Sequence, residues 1–404
     1  MAKKLLIVEE ALRDLKAHWF EYIKTIDSCA KNLGWDVDVA SNKHANPQIV
    51  NAFSSLPIFS YSRYLDHDKK KLPGEKHYGF ILHSMRTQKA LAALFKTKPQ
   101  YDDVFVPTVM VHHLLAWYTI MTFNVNKPKH VTLFFVTNPG IWNAETKKSF
   151  FPKSTVILKY LLKMFGSLVK AGAVTFAVET KGAKAEFETL SGLPFKLLPH
   201  PVPFAQTSAE TPAVEVMEHK PVHFACYGFA RHEKGSDLLK TAIERLLENA
   251  PDFNGHFSIQ WTDTFKMPDG SDCGPSKLLL THPKITIINR AVMSDEYNEL
   301  LAQTDCMMLP YRNSSYHARV SRVAIEAAAN GIPMIYTEDG WLEETVVGYG
   351  AGVGIANENV DELIAAIQTI EKDFSLFKKQ AIDKRKPARD YYSALNFCKL
   401  LLDS

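Results

Sequence analysis

Short apolar runs and stretches of helical period follow one another along this chain in a repeating order. Lys4–Val8 is a nearly continuous apolar run. Leu12 to Leu33 carries apolar residues at helical spacing with Gly34 as its stop, and Trp35–Ala40 (WDVDVA) alternates cleanly. That is a βαβ unit, and it predicts a parallel, doubly wound α/β sheet. Residues 42–78 are polar, with Lys69, Lys70 and Lys71 before Pro73-Gly74, and read as helix and exposed loop. Ile81–Phe95 reads as helix, Val104–Val111 as a buried strand ending at His112-His113, and Val131–Val136 as a strand ending at Thr137-Asn138-Pro139-Gly140. Ser154 to Lys170 has the pattern of a basic amphipathic helix; strand Val174–Val178 and helix Glu179–Leu190 complete this half.

Five prolines (Pro199, Pro201, Pro203, Pro212, Pro221) then fall in a stretch poor in apolar residues, which reads as a linker. A second α/β series follows: strand Val222–Tyr227, helix Asp237–Glu248, strands His256–Trp261 and Ile285–Ile288, helix Ser294–Gln303 and strand Cys306–Leu309. In the next segment Ser321 reads as an N-cap, Val323–Ala328 as a short apolar helix, Gly331 as its left-handed stop and Met334–Tyr336 as a buried strand. Val360–Ile370 and Leu376–Leu402 read as late helices. The expected organisation is an N-terminal domain over 1–200, a linker over 201–220, a C-terminal domain over 221–375 and terminal helices over 376–404. Two such domains, joined by a linker, are expected to face one another across a cleft.

The net charge of +3 hides an asymmetry: residues 1–200 hold 27 Lys and Arg against 16 Asp and Glu, and residues 201–404 hold 20 against 28. A basic first half suggests an anionic partner such as a membrane surface, a phosphorylated acceptor or nucleic acid. No reading module with interleaved aromatic and basic residues accompanies it, which argues against nucleic acid. No apolar run is long enough to span a membrane, and five scattered cysteines without a Cys-x-x-Cys pair argue for a reducing compartment and against zinc. A cytoplasmic protein is expected, with peripheral contact to the inner membrane face through Lys69–Lys71 and the basic helix as one possibility.

Candidate chemistry concentrates in the second half. The loop Gly228-Phe229-Ala230-Arg231-His232-Glu233-Lys234-Gly235 follows a strand, lets backbone approach a ligand at glycine and sends two cations toward the next helix. Arg319 and Arg322 flank the N-terminus of the helix after Ser321, where the helix dipole also favours an anion. Glu326, one turn in, is placed to accept from sugar hydroxyls. Loops at the carboxyl ends of parallel strands are where open α/β sheets bind ligands. A nicotinamide cofactor fits poorly, because Glu9-Glu10-Ala11-Leu12 stands where a glycine-rich loop would follow the first strand.

Over residues 222–370 the chain resembles the GT-B glycosyltransferases, most nearly the glycosyltransferase family 4 type. Gly228 and Lys234-Gly235 keep the spacing of that family's diphosphate-gripping loop, with Phe229 at its arginine position and Arg231 as substitute. Glu326 matches the second of two glutamates eight positions apart, and the first falls on Ala318. The resemblance implies two Rossmann-like domains facing a cleft, and transfer of a sugar from a nucleotide-diphosphate sugar to an acceptor hydroxyl, with retention and without a metal or other cofactor. It puts Arg231 and Lys234 on the diphosphate, Glu326 on the ribose, the backbone of Ser321, Arg322 and Val323 on phosphate or sugar, and the backbone around Arg290 and Ala291 on the base. In the first half it implies a histidine toward the donor sugar, His112 or His113, with Arg13, Lys16, His18 and Asn138 as acceptor-side candidates. The alternatives are an inverting transferase or sugar-nucleotide epimerase, and a non-catalytic binder of sugar nucleotides. The acceptor is a glycan, a lipid-linked sugar or a small molecule.

Overall fold

The computed structural model describes residues 2–14, 18–62, 75–98, 100–204 and 221–403. The chain divides into two compact units: Met1–Gly140 with Phe151–Pro203 and Ser393–Ser404, and Ile141–Phe150 with Phe204–Tyr392.

The first unit is built on strands β1 (Lys4–Val8), β2 (Asp36–Asn42), β3 (Ser55–Phe59), β4 (Asp103–Val106), β5 (His130–Phe135), β6 (Val174–Val178) and β7 (Phe195–Leu197). They form one parallel sheet in the order β3-β2-β1-β4-β5-β6-β7. Helices α1 (His18–Asn32), α2 (Glu75–Thr97), α3 (Val111–Phe123) and α4 (Val156–Met164) belong to the same unit. Burying both faces of a parallel sheet requires nearly continuous apolar strands, and Leu5, Leu6 and Ile7 are fully buried.

Several sequence expectations change here. Residues 42–78 contain strand β3, which takes the sheet's edge; an edge position tolerates Pro57, whose missing N–H costs a central strand a hydrogen bond. Strand β4 stops at Val106, ahead of Pro107, so His112 and His113 lie in the first turn of α3 rather than at a strand end. The basic helix breaks at Phe165 into α4 and a short turn of helix, Gly166–Lys170. Helix α1 begins at His18, not Leu12. Lys16, Lys69–Lys71, residues 205–220 of the linker and the side chain of His18 lie outside the described residues.

The second unit carries β8 (Val222–Cys226), β9 (Gly255–Gln260), β10 (Ile285–Ile288), β11 (Cys306–Leu309), β12 (Met334–Thr337) and β13 (Gly352–Ile355). These pair in parallel in the order β10-β9-β8-β11-β12-β13. Its helices include α5 (Ser236–Asn249), α6 (Ser294–Ala302), α7 (Arg322–Ala329) and α8 (Phe374–Tyr391). Phe224, Phe257, Ile243 and Ile335 lie in its core. A hairpin from the first half of the sequence, Ile141–Asn143 paired with Lys148–Phe150, packs with this unit, where Trp142 stacks on His317 (5.1 Å between ring centroids). In the opposite direction α9 (Ala394–Leu402) returns to the first unit and packs on α1, with Phe397, Cys398 and Leu401 buried in its core.

Both sheets share one topological property. The chain order reverses beside the first strand of each, between β1 and β4 in one unit and between β8 and β11 in the other. At such a switch point neighbouring loops diverge to opposite faces and leave a crevice at the carboxyl ends of the strands.

Candidate functional site

In the second unit the loops bounding the switch point are residues 227–235 after β8 and 310–321 after β11. Gly228 has φ +88°, and a Cβ built on it would lie 2.4 Å from Lys234 Nζ. The ammonium therefore rests against bare backbone, a contact that any side chain at position 228 would block. Gly235 is also left-handed, and its added Cβ would stand 2.0 Å from the Pro310 carbonyl oxygen. Glycine at 235 is thus what lets the two loops meet. The Gln260 side chain accepts from the Gly228 amide (2.7 Å) and donates to the Arg290 carbonyl (2.9 Å), fixing the loop from the β9 side.

The electrostatics of this crevice are cationic. Burial lowers the Lys234 ammonium from its usual range, and the charges of Arg231 and Arg319 push the same way, against opposing Cys226 and Glu233. Lys234 Nζ sits over the Tyr311 ring at 5.7 Å; among the described residues none accepts a hydrogen bond from it. A partly buried ammonium facing two further cations is an unfavourable arrangement in the free protein, and a bound anion relieves it. Arg231 is half-exposed, 3.5 Å from Glu233.

The Ser321 hydroxyl caps α7 by accepting from the Ala324 amide (3.4 Å). Glu326 is buried on that helix. Its carboxylate accepts from Tyr297 Oη (2.8 Å) and Arg322 Nε (2.8 Å), an arrangement that fixes its orientation. An ionised carboxylate offers about four acceptor positions, so about two remain for a ligand. Arg322 is thus spent largely on Glu326, and Val323 contributes only backbone in this turn. The guanidinium of Arg290 pairs with Glu296 at the surface (2.6 Å), and Ala291 is exposed beside it. Ala318 is buried, and the neighbouring His317 carbonyl accepts from the Trp341 amide (2.8 Å).

Sequence reasoning missed Arg312. Its buried guanidinium forks onto both carboxylate oxygens of Asp237 (2.7 Å each), donates to the His232 carbonyl and reaches Glu358. It therefore joins the loop after β11 to the loop after β8 and to the start of α5. The signal was an arginine three residues after a buried strand with Asp237 opening the neighbouring helix, a pairing that only the three-dimensional register reveals.

In the first unit the corresponding loops bring together Glu9, Glu10, His112 and His113, all buried. Glu10 lies 3.2 Å from His113 Nε2 and 3.6 Å from His112 Nε2. Burial alone would raise the Glu10 carboxyl; the field of His113, aided by His112, reverses this and holds it below the usual carboxylate range. For Glu9 burial outweighs the hydrogen bonds from Ala11 and Thr108 and the weaker pull of His113, and pushes it up to about 7. Burial, with the neighbouring His113, pushes His112 down to about 4. Glu10, His112 and His113 also have the spacing of metal ligands. The Met110 amide nitrogen lies 3.1 Å from His113 Nδ1, which holds that ring against the start of α3. Asn138 is held in a turn by Glu186 (3.0 Å), which also accepts from the Gly140 amide. Arg13 is half-buried near that end of β1, its carbonyl accepting from Asn46.

Residues 221–373 match the family model described as Glycosyl transferases group 1. No curated protein sequence matches the chain. Among solved structures, a glycosyltransferase from Rickettsia africae ESF-5 superposes with TM-score 0.65 at 15% identity, covering 100% of this chain and 96% of that one. Sucrose-phosphate synthase from Thermosynechococcus elongatus gives 0.63 at 14% identity over 99% and 97%. HepE from Anabaena in complex with UDP-glucose gives 0.62 at 12% identity over 99% and 98%.

Proposed function

We propose that the second unit, whose residues 221–373 match the Glycosyl transferases group 1 model, works as such a domain in a chain with the two-unit α/β fold of GT-B glycosyltransferases. We propose that this glycosyltransferase takes its sugar from a nucleotide-diphosphate donor held at the β8–β11 switch point, and passes it to an acceptor hydroxyl bound by the first unit. The observation that carries the reading is Lys234: a partly buried ammonium against bare glycine backbone, with Arg231 and Arg319 nearby and no acceptor bonded to it among the described residues. A diphosphate supplies the missing acceptor oxygens. The complex of HepE with UDP-glucose supports this class of donor in the shared fold.

In this proposal Lys234 and Arg231 neutralise the charge that grows on the leaving diphosphate, a task that needs no metal ion. The nitrogen cap of α7, at Ser321–Val323, faces the same anion, and Glu326 accepts from the ribose hydroxyls. The base lies along Arg290 and Ala291. Retention through front-face attack, with the leaving phosphate taking the acceptor proton, fits a leaving group held by the cations Lys234 and Arg231. Ala318 puts a methyl group where relatives of this type place a carboxylate, so donor-sugar hydroxyls are read by other groups here. On the acceptor side, Glu10 with His112 and His113 forms the titratable set, and Arg13 and Asn138 are further acceptor candidates.

Replacing Glu326 with glutamine tests the ribose assignment. Hydrogen bonds to a charged acceptor are worth about 1.5–3 kcal/mol, so nucleoside-diphosphate affinity is expected to fall roughly ten- to a hundredfold while the fold persists. Calorimetric titration checks this, with a 2′,3′-dideoxy nucleotide as control: that analogue should bind wild type and variant alike. Equal loss for both nucleotides removes Glu326 from the ribose.

A further inference from the structure

We infer that helix α4 of the first unit is a docking face for an anionic lipid surface. Val156, Ile157, Tyr160 and Met164 are 48%, 59%, 66% and 40% exposed, on a helix whose Leu161 and Leu162 are buried in the unit. At 3.6 residues per turn these four positions fall within about 100° of arc. They form one apolar stripe turned away from the protein. An exposed stripe of this kind on a helix that already buries its other face needs an occupant.

Charge identifies the occupant. Lys153, Lys159, Lys163 and Lys170 accompany the stripe, and the sequence from Phe151 to Val178 contains no Asp or Glu. Lys159 and Lys163 stand one turn apart and are both exposed, so they line one flank of the stripe together. Lysines with long apolar stems beside an exposed tyrosine match the boundary between lipid headgroups and acyl chains, where each lysine adds attraction to anionic lipid. A protein partner with an apolar groove would not require four cations without a single carboxylate. No helix among the described residues is long and apolar enough to cross a membrane, so the contact is peripheral. The inference stands on α4 and the lysines that flank it, and is independent of the donor site in the second unit.

The test is co-sedimentation of the full chain with vesicles of phosphatidylcholine alone and of phosphatidylcholine mixed with phosphatidylglycerol. The wild type is expected to pellet with the anionic vesicles and to detach as salt rises. Lys159→Glu with Lys163→Glu should lower partitioning about tenfold or more. Ile157→Ser with Tyr160→Ser should abolish the salt-resistant fraction. All four positions are exposed, so circular dichroism should show unchanged folds. Indifference to phosphatidylglycerol, or wild-type binding by both double variants, overturns the inference. If the serine variant instead removes a concentration-dependent self-association in sedimentation equilibrium, with no response to lipid, the stripe is a contact between copies and the lipid assignment fails.

Discussion

Lys234→Ala is expected to lower turnover of a nucleotide-sugar donor roughly a hundred- to a thousandfold, about 2.7–4 kcal/mol of barrier, in a folded protein. The ammonium lies against Gly228 with no hydrogen-bond acceptor among the described residues, so its removal breaks no such bond in the free protein. Taking away a partly buried cation whose ammonium is disfavoured by desolvation should if anything stabilise the free protein. In the working enzyme the effect reverses. Negative charge grows on the diphosphate as the glycosidic bond breaks, and a fixed cation binds that transition state better than the ground state. The variant should therefore lose kcat as well as donor affinity. Arg231→Lys should lose less than Lys234→Ala but should not match wild type, because a lysine cannot fork onto two oxygens. Steady-state kinetics with thermal unfolding as the fold check decides the matter: wild-type turnover in a folded Lys234→Ala protein ends the assignment.

Arg312→Met is expected to destabilise the protein by about 3–5 kcal/mol, because it leaves the Asp237 carboxylate half-buried with no cation beside it. The same change cuts the tie between the loop after β11 and the His232 carbonyl, so donor affinity should fall in whatever folded fraction remains. The effect carries a pH signature. Burial would raise the Asp237 carboxyl, but the adjacent Arg312 guanidinium overrides it and holds the group below the usual carboxylate range. A depressed carboxylate stabilises the fold above its unfolded pKa, near 3.9, and that stability is lost as pH falls through the lower folded value. The stability gap between wild type and Arg312→Met should thus be widest near neutrality and shrink as pH falls from the raised folded value of Asp237 in the variant toward its depressed value in the wild type. Chemical denaturation at a series of pH values measures it; a gap that does not change with pH would mean that Arg312 acts through packing alone.

The elements that were legible in the sequence are those whose signal is local. Strand β1 shows itself as a nearly unbroken apolar run, and the helix capped at Ser321 and stopped at Gly331 and the loop from Gly228 to Gly235 carry their own punctuation of glycine and capping hydroxyl. The candidate donor-side cations Arg231 and Lys234 stand out for the same reason: they sit a few residues from a glycine just after a strand. What stayed hidden depends on pairing between distant segments. Ser55–Phe59 looks like loop until an edge position makes Pro57 tolerable. His112 and His113 look like the end of a long strand, because Pro107 stops that strand while the apolar pattern runs on into α3. Glu10 drew notice only as a residue that is not glycine, yet both histidines close on it. Arg312 and Asp237 are 75 residues apart. The hairpin from Ile141 to Phe150, contributed to the second unit by the first half of the chain, announces itself by no periodicity, since its two strands are three residues each.

The central claim is that the switch point of the second unit holds a diphosphate. Crystals soaked with a nucleoside diphosphate test it most directly. The account predicts density for the two phosphates within hydrogen-bonding distance of Lys234 Nζ and the Gly228 loop, with the ribose hydroxyls on Glu326. Density for the diphosphate away from the crevice between the ends of β8 and β11, with Lys234 still lacking an acceptor, would contradict it.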